Sequence, residues 1–450
     1  MVYDTIAPRK EISAMSMIPQ TTLFSWENEI ENLGDNERLV CVLENLPDET
    51  FMRKLEKARG RGRNDYPVRA MWNMVIAMIV FGHGRFADII REMKRNIQLR
   101  YICGFMNGKT PSADNVSRFT SKLMEHEDDL LIIFCALSST LYEVLPGFGE
   151  NLALDSKWVW SLANRKSTRK NSDGRSETDA EWGIKEYRGV DEDGVAFSSK
   201  KKCFGFKIHL LVDVKYELPV AFIVTAANKS DVVCGKELIE TIARDESRKH
   251  ILEKCQYLAA DKGYDDEDFI GILAGLGIKA IIDKRDMWKS VTEKEVPGSD
   301  CRRYYDEQGN VYCYSPEMGD RHRMIPIGYD SERDAQRFRC PVSHYGATCR
   351  EAETCKLAKT VRVKLETDRR IFTQIGRTTY KWDRLYAGRT AVERVNSRLD
   401  VSFGFEERRV RGIKKMKMMS ALAFSIMNAL AVYSITQGKP ERMRSLVWAA

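Results

Sequence analysis

The chain has 450 residues, more than one ordinary domain holds, and its 43% hydrophobic and 10% aromatic content excludes a disordered or low-complexity protein. A formal net charge of +7 is mildly basic and does not by itself single out nucleic acid as a partner. The opening MVYDTIAPRKEISAM lacks the apolar run and small-residue cleavage site of a secretory signal, and eleven cysteines, an odd number, then fit a reduced, cytoplasmic protein.

Residues 1–25 show little pattern. From 26 to 145 apolar groups recur every three or four residues in ERLVCVLENL, YPVRAMWNMVIAMIVFG, RFADIIREMKRNIQLRYICGF and DDLLIIFCALSSTLYEVL, which predicts an all-helical region. The basic, glycine-rich ARGRGRNDYP and the segment NGKTPSADN punctuate it. At 151 the period changes. NLALDSKWVW reads as a strand, the polar stretch 163–200 shows no regular pattern, and FGFKIHLLVDV and LPVAFIVTAAN read as paired strands joined by the short turn KYE. DVVCGKELIETIARD then reads as a helix, CQYLAAD as a strand, DDEDFIGILAGLG as a helix and IKAIID as a strand, giving a mixed α/β sheet with helices around it. Regularity fails over 290–357. It resumes with TVRVKLE, a single amphipathic helix LYAGRTAVERVNSRLD (385–400), the basic EERRVRGIKKMK and the apolar MMSALAFSIMNALAVYSI (418–435). That last segment reaches the lower length limit of a membrane span. Its Ser420, Ser425, Asn428 and Ser434 favour a buried helix of a soluble domain, so no membrane is expected.

Three carboxylates point to chemistry. Asp155 interrupts an otherwise apolar or aromatic strand, and Asp261 ends the apolar run YLAAD. Ligand groups collect at such strand ends in open α/β sheets, although structural aspartates that cap the next helix stand there too. Glu393 shares a helix face with Tyr386 and Arg389, which are three and four residues apart. Two strand carboxylates and one on a helix laid across them would crowd negative charge and raise its pKa values. Divalent cations with hard oxygen ligands, Mg²⁺ or Mn²⁺, resolve that repulsion. Two such ions about 4 Å apart activate a water or 3′-hydroxyl and stabilise the leaving oxygen, which is phosphoryl transfer on a nucleic acid. Arg389 would hold a non-bridging phosphate oxygen, and Tyr386 a phosphate or a base. The plainer alternative is a surface Arg389–Glu393 pair beside a half-buried tyrosine.

LALDSKWVW, DAEWGIKEYRGV with KKCFGFKIHLLVDVKYELPVAFIVTAANKSD, YLAADKGYDDEDFIGILAGLGIKAIIDKR and YAGRTAVERVNSRLD resemble bacterial insertion-sequence transposases with a DDE catalytic domain, over residues 60–435. The resemblance implies a ribonuclease H-like mixed sheet flanked by helices, preceded by an all-helical, DNA-binding N-terminal domain (1–145). The catalytic domain would lie in two parts, 148–289 and 358–437, around a small cysteine-containing insertion, 290–357. The resemblance assigns Asp155, Asp261 and Glu393 as catalytic acids holding two Mg²⁺ or Mn²⁺ ions, with Tyr386 and Arg389 as signature residues beside the glutamate. It further implies hydrolysis at transposon ends, attack of the freed 3′-hydroxyl on target DNA, and a homodimer that joins two ends. One departure stands out. Many relatives carry Lys or Arg seven residues beyond the glutamate, where this chain has Asp400. Arg394 and Arg398 stand nearby, and Arg398 is the expected substitute for that DNA contact. A metal-dependent nuclease without strand transfer and a non-catalytic DNA-binding derivative are the rival readings.

The basic run with Arg408, Arg409, Arg411 and Lys414 directly follows the glutamate helix and is expected to bind phosphate, a solvated face being the alternative. Five cysteines fall late, Cys301, Cys313, Cys340, Cys349 and Cys355, with no Cys-x-x-Cys pair. Cys313, Cys340, Cys349 and Cys355 would suffice for a tetrahedral zinc site stapling the insertion, with His322 and His344 as further donors; free thiols in a small insert are the other reading. Cys41, Cys103 and Cys135 read as core, His209 as structural, and Trp158, Trp160 and Trp182 as packing residues, base stacking being their alternative.

Overall fold

The computed structural model describes residues 33–444, except 61–65, 106–107, 163–176, 191–195, 287, 289–290, 300–301, 315–320, 351, 354 and 408–409. Helices come first: α1 (Asn36–Asn45), α2 (Glu49–Arg59), α3 (Val68–Val80), α4 (Phe86–Arg95), α5 (Ile97–Cys103), α6 (Ala113–Met124) and α7 (Glu127–Val144). Local chemistry sets their starts. Pro67 precedes α3, while the Asn96 and Ser112 side chains accept from the Leu99 and Asn115 N–H groups to cap α5 and α6. α3 is buried along its whole length, which its nearly continuous apolar run requires. Its buried Arg69 pairs with Asp48 at 2.8 Å, the Trp72 indole donates to the same carboxylate at 2.7 Å, and Asn73 donates to Cys103 O at 3.4 Å.

The sheet follows: β1 (Asn151–Trp160), β2 (Glu181–Val190), β3 (Ala196–Asp213), β4 (Pro219–Ala226), then α8 (Asp231–Arg244), α9 (His250–Lys254), β5 (Tyr257–Ala260), α10 (Glu267–Gly275) and β6 (Lys279–Ile282). The long β3 pairs antiparallel with β1 on one side, and with β2 and then β4 on the other. β1 pairs parallel with β5, and β5 with β6. Antiparallel strands leading into a parallel strand–helix–strand unit form the expected ribonuclease H-like sheet.

The irregular stretch after β6 is β-structured. One small sheet holds β7 (Glu293–Glu295), β8 (Arg303–Asp306), β9 (Val311–Tyr314) and β10 (Arg321–Arg323). Another holds β11 (Ile325–Asp330), β12 (Ala335–Arg339) and β13 (Thr360–Lys364), with the short α11 (Pro341–Tyr345) between the last two. A core of its own, including Val311, Met324, Phe338, Val363 and Phe372, joins them. Strands this short carry too few residues to write a readable alternation.

The helix expected in one piece over 385–400 is two: α12 (Tyr380–Ala387) and α13 (Thr390–Phe403). Tight i→i+3 bonds make the joint, with the Gly388 N–H donating to Leu385 O at 3.1 Å and the Arg389 N–H to Tyr386 O at 2.9 Å. Gly388 allows the joint to lie against the turn after β3, since a Cβ there would meet Val214 Cγ1 at 2.7 Å. The final long helix is α14 (Ile413–Thr436), the one described helix long and apolar enough to cross a membrane; 83% of its apolar window is buried within the protein. It packs against α7, α1, α3 and β4. Its Asn428 donates to Ser138 Oγ and to Pro219 O, each at 3.2 Å. One face of the sheet, with Ala153, Val159, Phe206 and Leu210, shares a continuous core with α13, α14 and the N-terminal helices; the other, with Leu152, Leu154 and Leu258, packs on α8, α9 and α10.

Candidate active site

Leu154, Ala260 and Ile282 stand in register across β1, β5 and β6. The next residue on each chain segment is an aspartate, so Asp155, inside β1 where its pairing with β5 ends, is followed by Asp261 and Asp283, just past the ends of β5 and β6. The Asp155 carboxylate accepts from the Ser156 N–H at 2.7 Å, and that of Asp261 from the Gly263 N–H at 2.8 Å. Burial, reinforced by the charge of Asp261, pushes Asp155 up to about 6.

The α12–α13 joint brings the signature residues to this row. Tyr386 stacks on Trp382, with ring centroids 4.7 Å apart and planes within 13°, and the Arg389 guanidinium lies 5.7 Å from the Tyr386 ring. Burial and the charges of Asp283 and Asp261 raise the Tyr386 phenol. Arg389 reaches both acids: Nη2 is 2.8 Å from Glu393 Oε1, and Nη1 is 4.0 Å from Asp155 Oδ2. Among the described residues no three His, Cys, Asp or Glu side chains lie close enough together to hold a metal ion, and the half-exposed Glu393 is engaged by Arg389 instead. The donor set nonetheless suits a hard divalent cation. It consists of carboxylate oxygens alone, and one of them is held up by the same burial and negative charge that a cation would relieve.

Arg394 and Arg398 go elsewhere. They lie roughly 100–140° round α13 from Glu393 and converge on Glu217, whose φ of 56° makes the tight turn between β3 and β4. Arg394 Nε is 2.7 Å from Glu217 Oε1, Arg398 donates to the Glu217 backbone oxygen, and Arg444 completes the cluster at 3.5 Å. Burial lowers the Arg398 pKa to about 10. The expectation that Arg398 replaces the DNA contact at position 400 is therefore corrected: its guanidinium clamps a turn. Asp400 itself pairs with Lys157, at 2.5 Å. Arg408 and Arg409 lie outside the described residues, while Arg411 and Lys414 are exposed at the start of α14.

Sequence reasoning missed two residues here. Asp283 carries the signal of Asp261, an apolar strand stopping at a carboxylate. Lys157 is two residues past Asp155 and so on the same strand face. In the insertion, Cys313, Cys340, Cys349 and Cys355 line one cavity of about 240 Å³ together with Arg303 and Met324. Burial raises the Cys313 thiol. His209 is wholly buried beside Lys207, Thr225 and Asp231.

Residues 177–429, more than half of the chain, match the family model described as Transposase DDE domain, and residues 28–122 match one described as Transposase domain. The first match begins beyond Asp155 and includes Asp261 and Glu393. No curated protein matches the chain. Among solved structures, the cryo-EM structure of a piggyBac transposase synaptic complex with hairpin DNA is similar at 10% identity and a TM-score of 0.35, covering 91% of this chain and 79% of that one. Members of this family generally use divalent metal ions. The chain belongs to the DDE-domain transposases.

Proposed function

We propose that this transposase cuts the ends of its DNA element and transfers them to target DNA with Asp155, Asp261 and Glu393 as the acids that hold two divalent cations, Mg²⁺ or Mn²⁺. The observation that carries the reading is that Asp155 and Asp261 each directly follow the registered pair Leu154 and Ala260, with Glu393 linked to Asp155 through one guanidinium. Bound there, the ions would activate the attacking water or 3′-hydroxyl and stabilise the leaving oxygen. Arg389, released from Glu393, would turn its donors to a phosphate oxygen. Tyr386, backed by Trp382, presents an aromatic edge to the same place. Arg411 and Lys414, with Arg408 and Arg409, extend phosphate binding along the duplex.

The helical region 1–145 is the proposed end-recognition domain, and 148–289 with the segment from α12 to 437 the catalytic one; the insertion, expected over 290–357, runs further, because β13 pairs with β12 and Phe372 packs in the insertion's core. A homodimer would hold two ends. All ten described cysteines are free thiols, which supports a reducing, cytoplasmic setting. Cys313, Cys340, Cys349 and Cys355 line one cavity without standing close enough together to hold an ion, so a zinc staple there requires the four to draw together; zinc measured per chain after dialysis decides between that and free thiols.

Asp155→Asn, Asp261→Asn and Glu393→Gln should each slow end cleavage by at least about 100-fold while binding of end DNA, read by gel shift, persists. Full cleavage by any one of them removes that residue from the proposed triad. Joining of pre-cut ends to target DNA separates a transposase that completes transfer from one that only cuts.

A further inference from the structure

We infer that the Lys157–Asp400 ion pair is a positioning clasp that sets where Glu393 is held against Asp155; the inference deepens the metal-site reading above and rests on it. Side chains alternate along β1, so Lys157 projects from the same sheet face as Asp155. Seven residues complete two helical turns to within about 20°, which puts Asp400 on the same stripe of α13 as Glu393. Strand and helix thus meet at two rungs. At one, Asp155 and Glu393 both reach Arg389. At the other, Lys157 Nζ donates to Asp400 Oδ2 at 2.5 Å.

The two contacts on the sheet differ in kind. The apolar side of α13, with Val392, Val395 and Leu399, buries area without a preferred direction and tolerates small rotations of the helix. A charged hydrogen bond has a geometry to satisfy and resists them. The side chains of Lys157 and Asp400 are only 17% and 22% exposed, so solvent and salt screen the pair less than a surface one. The other ion pairs of α13, from Arg394 and Arg398 to Glu217, tie it to the β3–β4 turn and not to β1. Among the described residues Lys157–Asp400 is therefore the charged link between the strand that carries Asp155 and the helix that carries Glu393, independent of Arg389. Neither residue touches the reacting atoms; both act through the placement of Glu393.

The test is Mn²⁺ binding by the full chain, followed by electron paramagnetic resonance of free Mn²⁺, with thermal unfolding measured alongside. Asp400→Asn and Lys157→Met should each weaken Mn²⁺ binding by about tenfold. The double variant should be no weaker than either single one, because the same link is lost once. Lys157→Arg should retain most of the affinity, and it keeps the question answerable if Asp400→Asn does not fold. The sign at Lys157 is decisive. If charge alone mattered, removing a cation beside the site would tighten Mn²⁺ binding, so tighter or unchanged binding by Lys157→Met overturns the clasp. Losses that add in the double variant overturn it as well. A wild type that binds no Mn²⁺ overturns the metal-site reading beneath it.

Discussion

Arg389 lies between Asp155 and Glu393 and contacts the Tyr386 ring as well. Replacing it with glutamine removes a bidentate donor aimed at the place where phosphate charge develops. A loss of about 10²-fold in the cleavage rate is expected, with little change in the affinity for end DNA; single-turnover cleavage and gel shift measure the two. His209 carries a different prediction. Burial holds its imidazole well below the usual histidine value, against the opposing pull of Asp231 at 3.9 Å. A histidine whose folded pKa lies below its unfolded value of about 6.5 binds fewer protons in the folded state, so it has no effect on stability above that pH and destabilises increasingly as the pH falls through the interval between the two values. His209→Gln, which can still hydrogen-bond Thr225, should therefore lose about 1–3 kcal/mol less stability than the wild type between pH 7 and pH 4.5. Urea midpoints at the two pH values give the comparison, and equal losses would show that the imidazole is not held neutral.

At the scale of elements, the site depends on how α13 is entered and left. The stripe Tyr386, Arg389 and Glu393 was legible as three- and four-residue spacing, but not the joint that splits the helix there. The reason is that Gly388 sits against Val214, a contact with the far end of β3 that local spacing does not register. Gly388→Ala drives a Cβ to 2.7 Å from Val214 Cγ1, and about 1–3 kcal/mol of destabilisation is expected, with a larger relative loss of cleavage because the start of α13 is displaced. The other end is capped by Gly404 at φ +67°, where a Cβ would lie 2.6 Å from Gly82 O in the loop after α3. Gly404→Ala combines a left-handed alanine, about 1 kcal/mol, with a backbone collision, so it should cost more stability than Gly388→Ala in the same urea unfolding experiment.

At the scale of the whole molecule, the N-terminal helices and the catalytic sheet are not separable by their cores. Leu39, Trp72, Phe134, Phe206, Val395 and Phe424 belong to one buried cluster, and α14 lies at its middle, with Asn428 bonded to both α7 and the residue that opens β4. A chain starting at residue 148 would expose the apolar faces of α14 that α1, α3 and α7 cover, and it should lack the fixed tertiary packing read by near-UV circular dichroism. A cooperative, native-like melt of that chain would contradict the shared core. The sequence by itself determined the helical N-terminal region, strands β1 and β3–β6 with the helices between them, the buried character of α14, and the candidacy of Asp155, Asp261 and Glu393; β2, in the polar stretch 163–200, and the short strands β7–β12 of the insertion carried no readable alternation. Apolar period and a carboxylate at a strand end are properties of a few consecutive residues. Only the tertiary structure decided that Asp283 extends the aspartate row, that Arg398 clamps Glu217, and that Asp400 meets Lys157. Each of these is a contact between distant segments, in the last case 243 residues apart, and it exists only once strand register and helix rotation have brought the partners together.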